Sequence, residues 1–111
     1  RLHRVVCAVD CGTVVHPGIV AQQMEGAVIF ALTAALHGRI DIRGAAVQQR
    51  QFGDYPMVDL ARAPRVETWL VPSERAPAGV GEPGVPPLAP ALGNALYALT
   101  GIRQRSLPFA L

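Results

Sequence analysis

The apolar positions of this chain change period several times, and each change marks an element. Residues 3–9 (HRVVCAV) form a β-rich run of weak alternation, predicting a mostly buried strand that ends at Asp10. Cys11-Gly12-Thr13 reads as a turn, and Pro17 has the fixed backbone angle that suits a first helical position. Val20, Met24, Ala27, Val28, Ala31, Ala35 and Leu36 then recur at helical spacing, up to a stop at Gly38. The opposite side carries Gln22, Glu25 and Ile29, so its polar face is short and the helix should be covered over much of its circumference. Gly26 within this helix costs about 1 kcal/mol relative to Ala, which predicts close packing there, against another backbone or a cofactor.

Two short strands are expected at residues 39–42 and 46–51, around a turn at Arg43-Gly44. Phe52-Gly53-Asp54-Tyr55-Pro56 breaks the pattern and a loop runs on to Pro64. Gln51 and Tyr55 could bring an amide and a phenol to a site, but the favoured reading is a strand end with Phe52 and Tyr55 anchoring the loop. Residues 65–71 (RVETWLV) alternate polar with apolar, as a strand with one wet face does. The stretch 72–90 is too rich in Gly and Pro for regular structure. Leu88, Ala91, Leu92, Ala95, Leu96 and Leu99 follow on one helical face, and Gly101 stands at the capping position. Pro87 and Pro90 are tolerated because a first turn has no donor duty. The order is β-α-β-β-β-α, a small single α+β domain in which a largely antiparallel sheet packs with two helices.

Composition narrows the classes. The 111 residues suit one domain, and with half of them hydrophobic a core is within reach without disulfides or metals. A net charge of +2, with no like-charge block of four, gives no indication of a dedicated nucleic-acid or membrane surface. The longest apolar candidate, residues 27–36, is bounded by Gly26 and His37 and interrupted by Thr33, and no membrane span is expected. All ten basic residues are Arg, which with abundant Ala, Gly and Pro reads as a G·C-rich, bacterial coding genome. Cys7 and Cys11 are too far apart in an extended segment for a disulfide, and both are expected to be buried free thiols. His3, His16 and His37 lack metal-ligand spacing, so no protein-held metal is expected; they and Trp69 read as structural. RLHRVV begins inside a strand without a polar lead, as a piece of a longer chain would.

Gly79-Val80-Gly81-Glu82-Pro83-Gly84 is the most informative run. Its glycines let backbone approach a ligand, and the carboxylate lies shortly before a helix start. Composition alone favours a solvated surface turn, or a Glu that complements the helix's positive end. Gln23 reads on physics alone as a solvated helix side chain, and Glu25 as an exposed helix residue or an internal salt-bridge partner.

Taken together, VDCGTVVHPGIVAQQMEG, QFGDYP, GVGEPGVPPLAPALGNALYALTG and IRQRSLP resemble the last segment of molybdenum hydroxylase large subunits. That family holds xanthine dehydrogenases and aldehyde oxidases, and the resemblance is greatest to the isoquinoline 1-oxidoreductase beta-subunit type. It implies that residues 1–111 are the carboxy-terminal part of a molybdopterin-binding region. It also implies that Glu82 is the general base that deprotonates a hydroxyl on molybdenum, during hydroxylation of an N-heterocycle or oxidation of an aldehyde. Gln23 matches a residue beside the pterin, and Gly79, Val80 and Gly81 match backbone lining the metal site. The implied cofactor is molybdenum-molybdopterin in its cytosine dinucleotide form. Electrons would leave through iron–sulfur clusters on a small partner subunit, since no cluster motif stands here. The remaining partners are the rest of the large subunit and a small aromatic or aldehyde substrate. The isolated segment is expected to be inactive. His16 and Gln51 replace the family's usual Asn, and Gly93 its usual Ala. A non-catalytic cofactor subdomain or assembly module is the competing reading.

Overall fold

The computed structural model describes residues 1–110. Its elements are β1 (Arg4–Val9), α1 (Pro17–Leu36), β2 (Ile42–Arg43), β3 (Ala46–Val47), a 3-10 turn (Phe52–Asp54), β4 (Arg65–Leu70) and α2 (Leu88–Thr100). The α+β composition and the element order are those expected from the sequence.

Helix α1 is the body around which the chain folds. Its buried residues include Val20, Met24, Ala27, Val28, Ala31 and Ala35 of the stripe that the apolar spacing predicts; Leu32 and Thr33 are buried as well, and Leu36 is half-buried. One half of the core joins Val20 and Met24 to Val9 and Cys11; the other joins Val28, Ala31 and Leu32 to Leu88 of α2. Leu32 and Val28 are the largest side chains to be fully enclosed, each burying enough apolar area to contribute about 1.5–3 kcal/mol. At 20 residues α1 is also long and apolar enough to cross a membrane by length and composition, which corrects the expectation drawn from residues 27–36 alone. In this fold its apolar side is spent on β1, β4 and α2.

The start of α1 shows what His16 does. Its backbone is extended, and its Nδ1 accepts the Ile19 N–H at 3.1 Å, so the imidazole is the N-cap. Asn, with a short side-chain oxygen, caps as well or better. His16→Ala is therefore expected to cost about 1 kcal/mol locally, seen as faster amide exchange at Ile19, whereas His16→Asn keeps the protection. Equal exchange in all three proteins would show that the imidazole cap does not stabilise the helix start.

The main sheet departs from expectation. Strands β1 and β4 pair in parallel, from Arg4 opposite Arg65 to Val9 opposite Leu70, rather than antiparallel. The reason is the connection: α1 lies between them in sequence and packs on one face, giving the crossover that parallel neighbours require. Alternation in 65–71 reports which face is covered, not strand direction. Val5, Cys7, Val66 and Leu70 pack toward α1, while Val6 and Trp69 stand exposed on the other face.

The only antiparallel pairing among the described residues is β2–β3, with Ile42 opposite Val47 and Arg43 opposite Ala46. Gly44 and Ala45 both have positive φ, as a tight two-residue hairpin turn demands. The strands are shorter than expected because Ile42 and Val47 are exposed and no core rewards their extension. Phe52, expected to anchor the next loop, is 98% exposed. That loop is held instead by polar bonds, from Arg50 N to Asp54 Oδ2 (3.1 Å) and from Val58 N to Thr33 Oγ1 (3.2 Å). Helix α2 closes on Gly101 in the left-handed conformation, its N–H on the Tyr97 carbonyl at 2.7 Å. Of its predicted apolar face only Leu88 is fully buried, and Leu99 is open. Cys7 and Cys11 are both free; Cys11 is buried, and partial burial pushes the Cys7 thiol up. The radius of gyration, 16.4 Å, exceeds the about 13 Å of a self-contained domain of this length, in keeping with several uncovered apolar faces.

Candidate functional site

After β4 the chain runs back along the end of β1, and a set of backbone bonds fixes its path. Val71 N–H donates to the Val9 carbonyl at 2.9 Å, and Ala78 N–H to the Cys11 carbonyl at 2.8 Å. Between them, Thr13 gives both its N–H and its hydroxyl to the Arg75 carbonyl, each at 2.9 Å. Arg75 also pairs with Asp10, whose other carboxylate oxygen accepts the Gly12 N–H at 3.2 Å. The Gly12 bond, followed by the Arg75 charge, holds the Asp10 carboxyl below its usual range. This seam leads straight into the Gly-Val-Gly-Glu run.

Glu82 is carried between two anchors. On one side Val80 packs into the core beside Val9, Cys11, Val20 and Met24. On the other, buried Gly84 lies so close to α1 that an added Cβ would meet the Ala27 Cβ at 2.7 Å and the Met24 sulfur at 3.4 Å. The Glu82 carbonyl accepts the Val85 N–H at 2.9 Å, which closes a tight turn and leaves the carboxylate exposed. Glu82 joins none of the ion pairs among the described residues. Nor does it complement a helix end: α2 starts at Leu88 and has no acidic residue in its first turn.

The turn faces a hollow of about 550 Å³ lined by Gln23, Gly26, Ala27 and Phe30 of α1 and by Gly81, Glu82, Val85 and Pro86 of the loop. The α1 residues are spaced so as to share one helix face. Gly81 and Gln23 meet across it, the Gln23 amide nitrogen lying 3.7 Å from the position of a Cβ on Gly81. Of the two packings expected at Gly26, the one against another backbone is not found: outside its own helix backbone and chain neighbours, no atom lies within 4 Å of where its Cβ would stand. Its missing side chain deepens the hollow instead.

Of the residues singled out from the sequence, Gln23, Gly81 and Glu82 come together here. Gly79 borders open space, and the Val80 side chain is in the core. Phe30, Val85 and Pro86 line the hollow without having been anticipated. The signal for Phe30 was an apolar residue off the buried stripe, seven positions after Gln23 and 69% exposed. Among the described residues no three His, Cys, Asp or Glu side chains converge as a metal site.

Comparison with known proteins agrees on one family. Residues 1–64, more than half the chain, match the model of the molybdopterin cofactor-binding domain. The chain is 43% identical over 105 residues to isoquinoline 1-oxidoreductase subunit beta of Brevundimonas diminuta, covering 95% of this chain and 13% of that protein. It is 35% identical to the membrane-bound aldehyde dehydrogenase [pyrroloquinoline-quinone] of Gluconacetobacter polyoxogenes, covering 90% of this chain and 13% of the other. The solved structure of reconstituted CO dehydrogenase from Oligotropha carboxidovorans is similar, with a TM-score of 0.76 at 26% identity, over 86% of this chain and 13% of that one. The chain thus spans about an eighth of the length of these proteins.

Proposed function

The chain belongs to the molybdopterin cofactor-binding domain family, and from that premise we propose that it helps to form the active site of a molybdenum-dependent oxidoreductase. In this reading residues 1–111 are the carboxy-terminal part of the molybdopterin-binding region of a large subunit, and Glu82 is the general base. The observation that carries it is the convergence of Gln23 and Glu82, distant in sequence, on one hollow deepened by Gly26.

The residues suit such a cofactor. Gln23 offers both an amide donor and an acceptor to a polar pterin edge. Gly26 and Gly81 leave room for a flat ring or a phosphate to come close to backbone. With no side-chain ligand cluster among the described residues, a metal here arrives already held by its organic cofactor. When bound, that cofactor supplies the Lewis acidity that eases deprotonation of water-derived oxygen and the sink for the substrate's electron pair.

Glu82 then takes the proton from the oxygen nucleophile as it attacks the electron-poor carbon of an N-heterocycle or an aldehyde. The Val80 and Gly84 anchors hold the backbone that carries Glu82 beside the hollow. Ala27, Phe30, Val85 and Pro86 give an apolar wall that sheds water from the reacting face. A dinucleotide cofactor, of which the cytosine form is the one we infer, needs enclosure on most sides. One open hollow does not provide that, so the isolated segment is inactive and the rest of the large subunit completes the site. Iron–sulfur clusters on a small partner subunit take the electrons onward.

Gln23→Ala in the complete protein tests the cofactor half of this proposal. Exposed Gln23 contributes little to folding, so the variant should unfold at the parent temperature while retaining clearly less molybdenum per chain. Normal metal content with normal rate would remove Gln23 from the site. A parent protein that purifies with pyrroloquinoline quinone and no molybdenum would overturn the cofactor itself, in line with the name of the Gluconacetobacter relative.

A further inference from the structure

We propose that the groove between α2 and the segment that follows it is a second binding site, for a doubly charged oxyanion of phosphate or dicarboxylate type. The groove has a volume of about 730 Å³ and shares no residue with the Glu82 hollow. Its working residues are Gly93 and Asn94 on α2, and Arg103, Arg105 and Ser106 on the returning segment.

The site is built rather than incidental. Gly101, with φ of 73°, ends α2 and turns the chain back along it. Ile102 N–H donates to the Thr100 hydroxyl at 3.1 Å, which fixes the near end of the return. Phe109 N–H donates to the Ala35 carbonyl of α1 at 2.8 Å, and its ring lies 3.5 Å from the place of a Cβ on Gly93, which fixes the far end. Between these ends the Arg103 guanidinium lies 3.6 Å over the Tyr97 ring, and its Nη1 donates to Asn94 Oδ1 at 3.0 Å. Stacking restrains that planar group and leaves its remaining N–H donors free to form a fork.

The charge is one-sided. Residues 83–110 hold no Asp or Glu, and among the described residues none that is acidic lines the groove. Neither Arg103 nor Arg105 joins an ion pair among the described residues. Two cations kept in one groove without a counter-ion repel each other, and a dianion relieves both at once. Asn94, Gln104 and Ser106 add neutral donors around them. A purely structural role as a helix-end clasp accounts for Arg103 but not for Arg105.

The test uses the complete protein at low ionic strength, titrated calorimetrically with pyrophosphate and, separately, with succinate. Saturable submillimolar binding of at least one is expected; the stronger of the two identifies the phosphate or the dicarboxylate source. Arg105→Gln should weaken that binding by at least ~10-fold, because one charge-assisted bond is worth that much. Arg103→Lys should weaken it as well, since Lys keeps the charge and loses both the fork and the stack. Arg105→Gln should unfold at the parent temperature, which separates binding from folding. Failure of both anions to bind, or unchanged binding in the Arg103→Gln/Arg105→Gln double variant, overturns the proposal. So does protection of Arg105 from phenylglyoxal without added anion, which would mean that an acidic protein segment fills the groove. None of these outcomes depends on turnover or molybdenum content, so the proposal stands or falls apart from the role of Glu82.

Discussion

Glu82→Gln in the complete enzyme is expected to lower turnover by at least ~100-fold, the lower end of what a positioned general base contributes. Gln keeps the length and planarity of Glu and cannot accept a proton at neutral pH. The change should leave the fold alone. Glu82 holds its turn through its backbone carbonyl, on Val85 N–H, and its carboxylate joins no ion pair among the described residues. Were it only a helix-end carboxylate, the loss would be at most about 1 kcal/mol of stability, with the rate intact. The measurement is kcat alongside molybdenum per chain. Near-normal kcat at full loading would take Glu82 out of the mechanism and favour the competing reading, a cofactor subdomain or assembly module without chemistry.

The second large effect is expected far from the carboxylate, at Gly12. Its φ of +74° is a conformation that side chains avoid, and a Cβ there would lie 2.1 Å from the Ala76 carbonyl oxygen. Neither atom can yield cheaply. Ala76 sits in the seam where Thr13 bonds to Arg75 and Ala78 to Cys11, so backbone must separate from backbone. Gly12→Ala should therefore cost at least ~2 kcal/mol, the backbone strain plus the broken seam. Because the same seam leads into Val80 and Glu82, activity should fall with stability. Gly44→Ala is the control: its φ is also positive, at 56°, but nothing lies within 4 Å of the added carbon. That variant carries only the conformational cost and should keep full activity. Equal losses of stability in the two variants would show that collision with Ala76 is not the cause.

The limits of these elements are legible in the sequence wherever one residue has a local, chain-autonomous effect. Pro17 opens α1 and Gly101 closes α2 at the expected positions, because a fixed φ and a left-handed cap act through the backbone of a single turn. The buried stripe of α1 is legible for the same reason, although the apolar line through Ala31 and Ala35 omits Leu32, which the fold encloses fully. What the sequence does not carry depends on partners. The parallel pairing of β1 with β4 follows from where α1 packs, and alternation along one strand holds no record of its neighbour's direction. Phe52 and Leu99 read as inward because they are apolar, yet burial belongs to the surface opposite, and this chain supplies none there.

The candidate site divides in the same way. The four motifs, taken in order, resemble the molybdenum hydroxylases, and that resemblance singled out Glu82, Gln23 and Gly79 to Gly81; residue types alone left Gln23 an exposed helix residue and favoured a solvated turn at Glu82. Only the tertiary structure decided that Gln23, Gly81 and Glu82 share a hollow while Gly79 and Val80 do not line it. It also decided that Gly26 opens space rather than closing it and that Phe30 forms a wall. The physical reason is that a hollow is made by two surfaces. Each residue contributes a side chain or the lack of one, but the distance between α1 and the loop is set elsewhere, by Gly84 pressed on Ala27 and by the seam at Gly12.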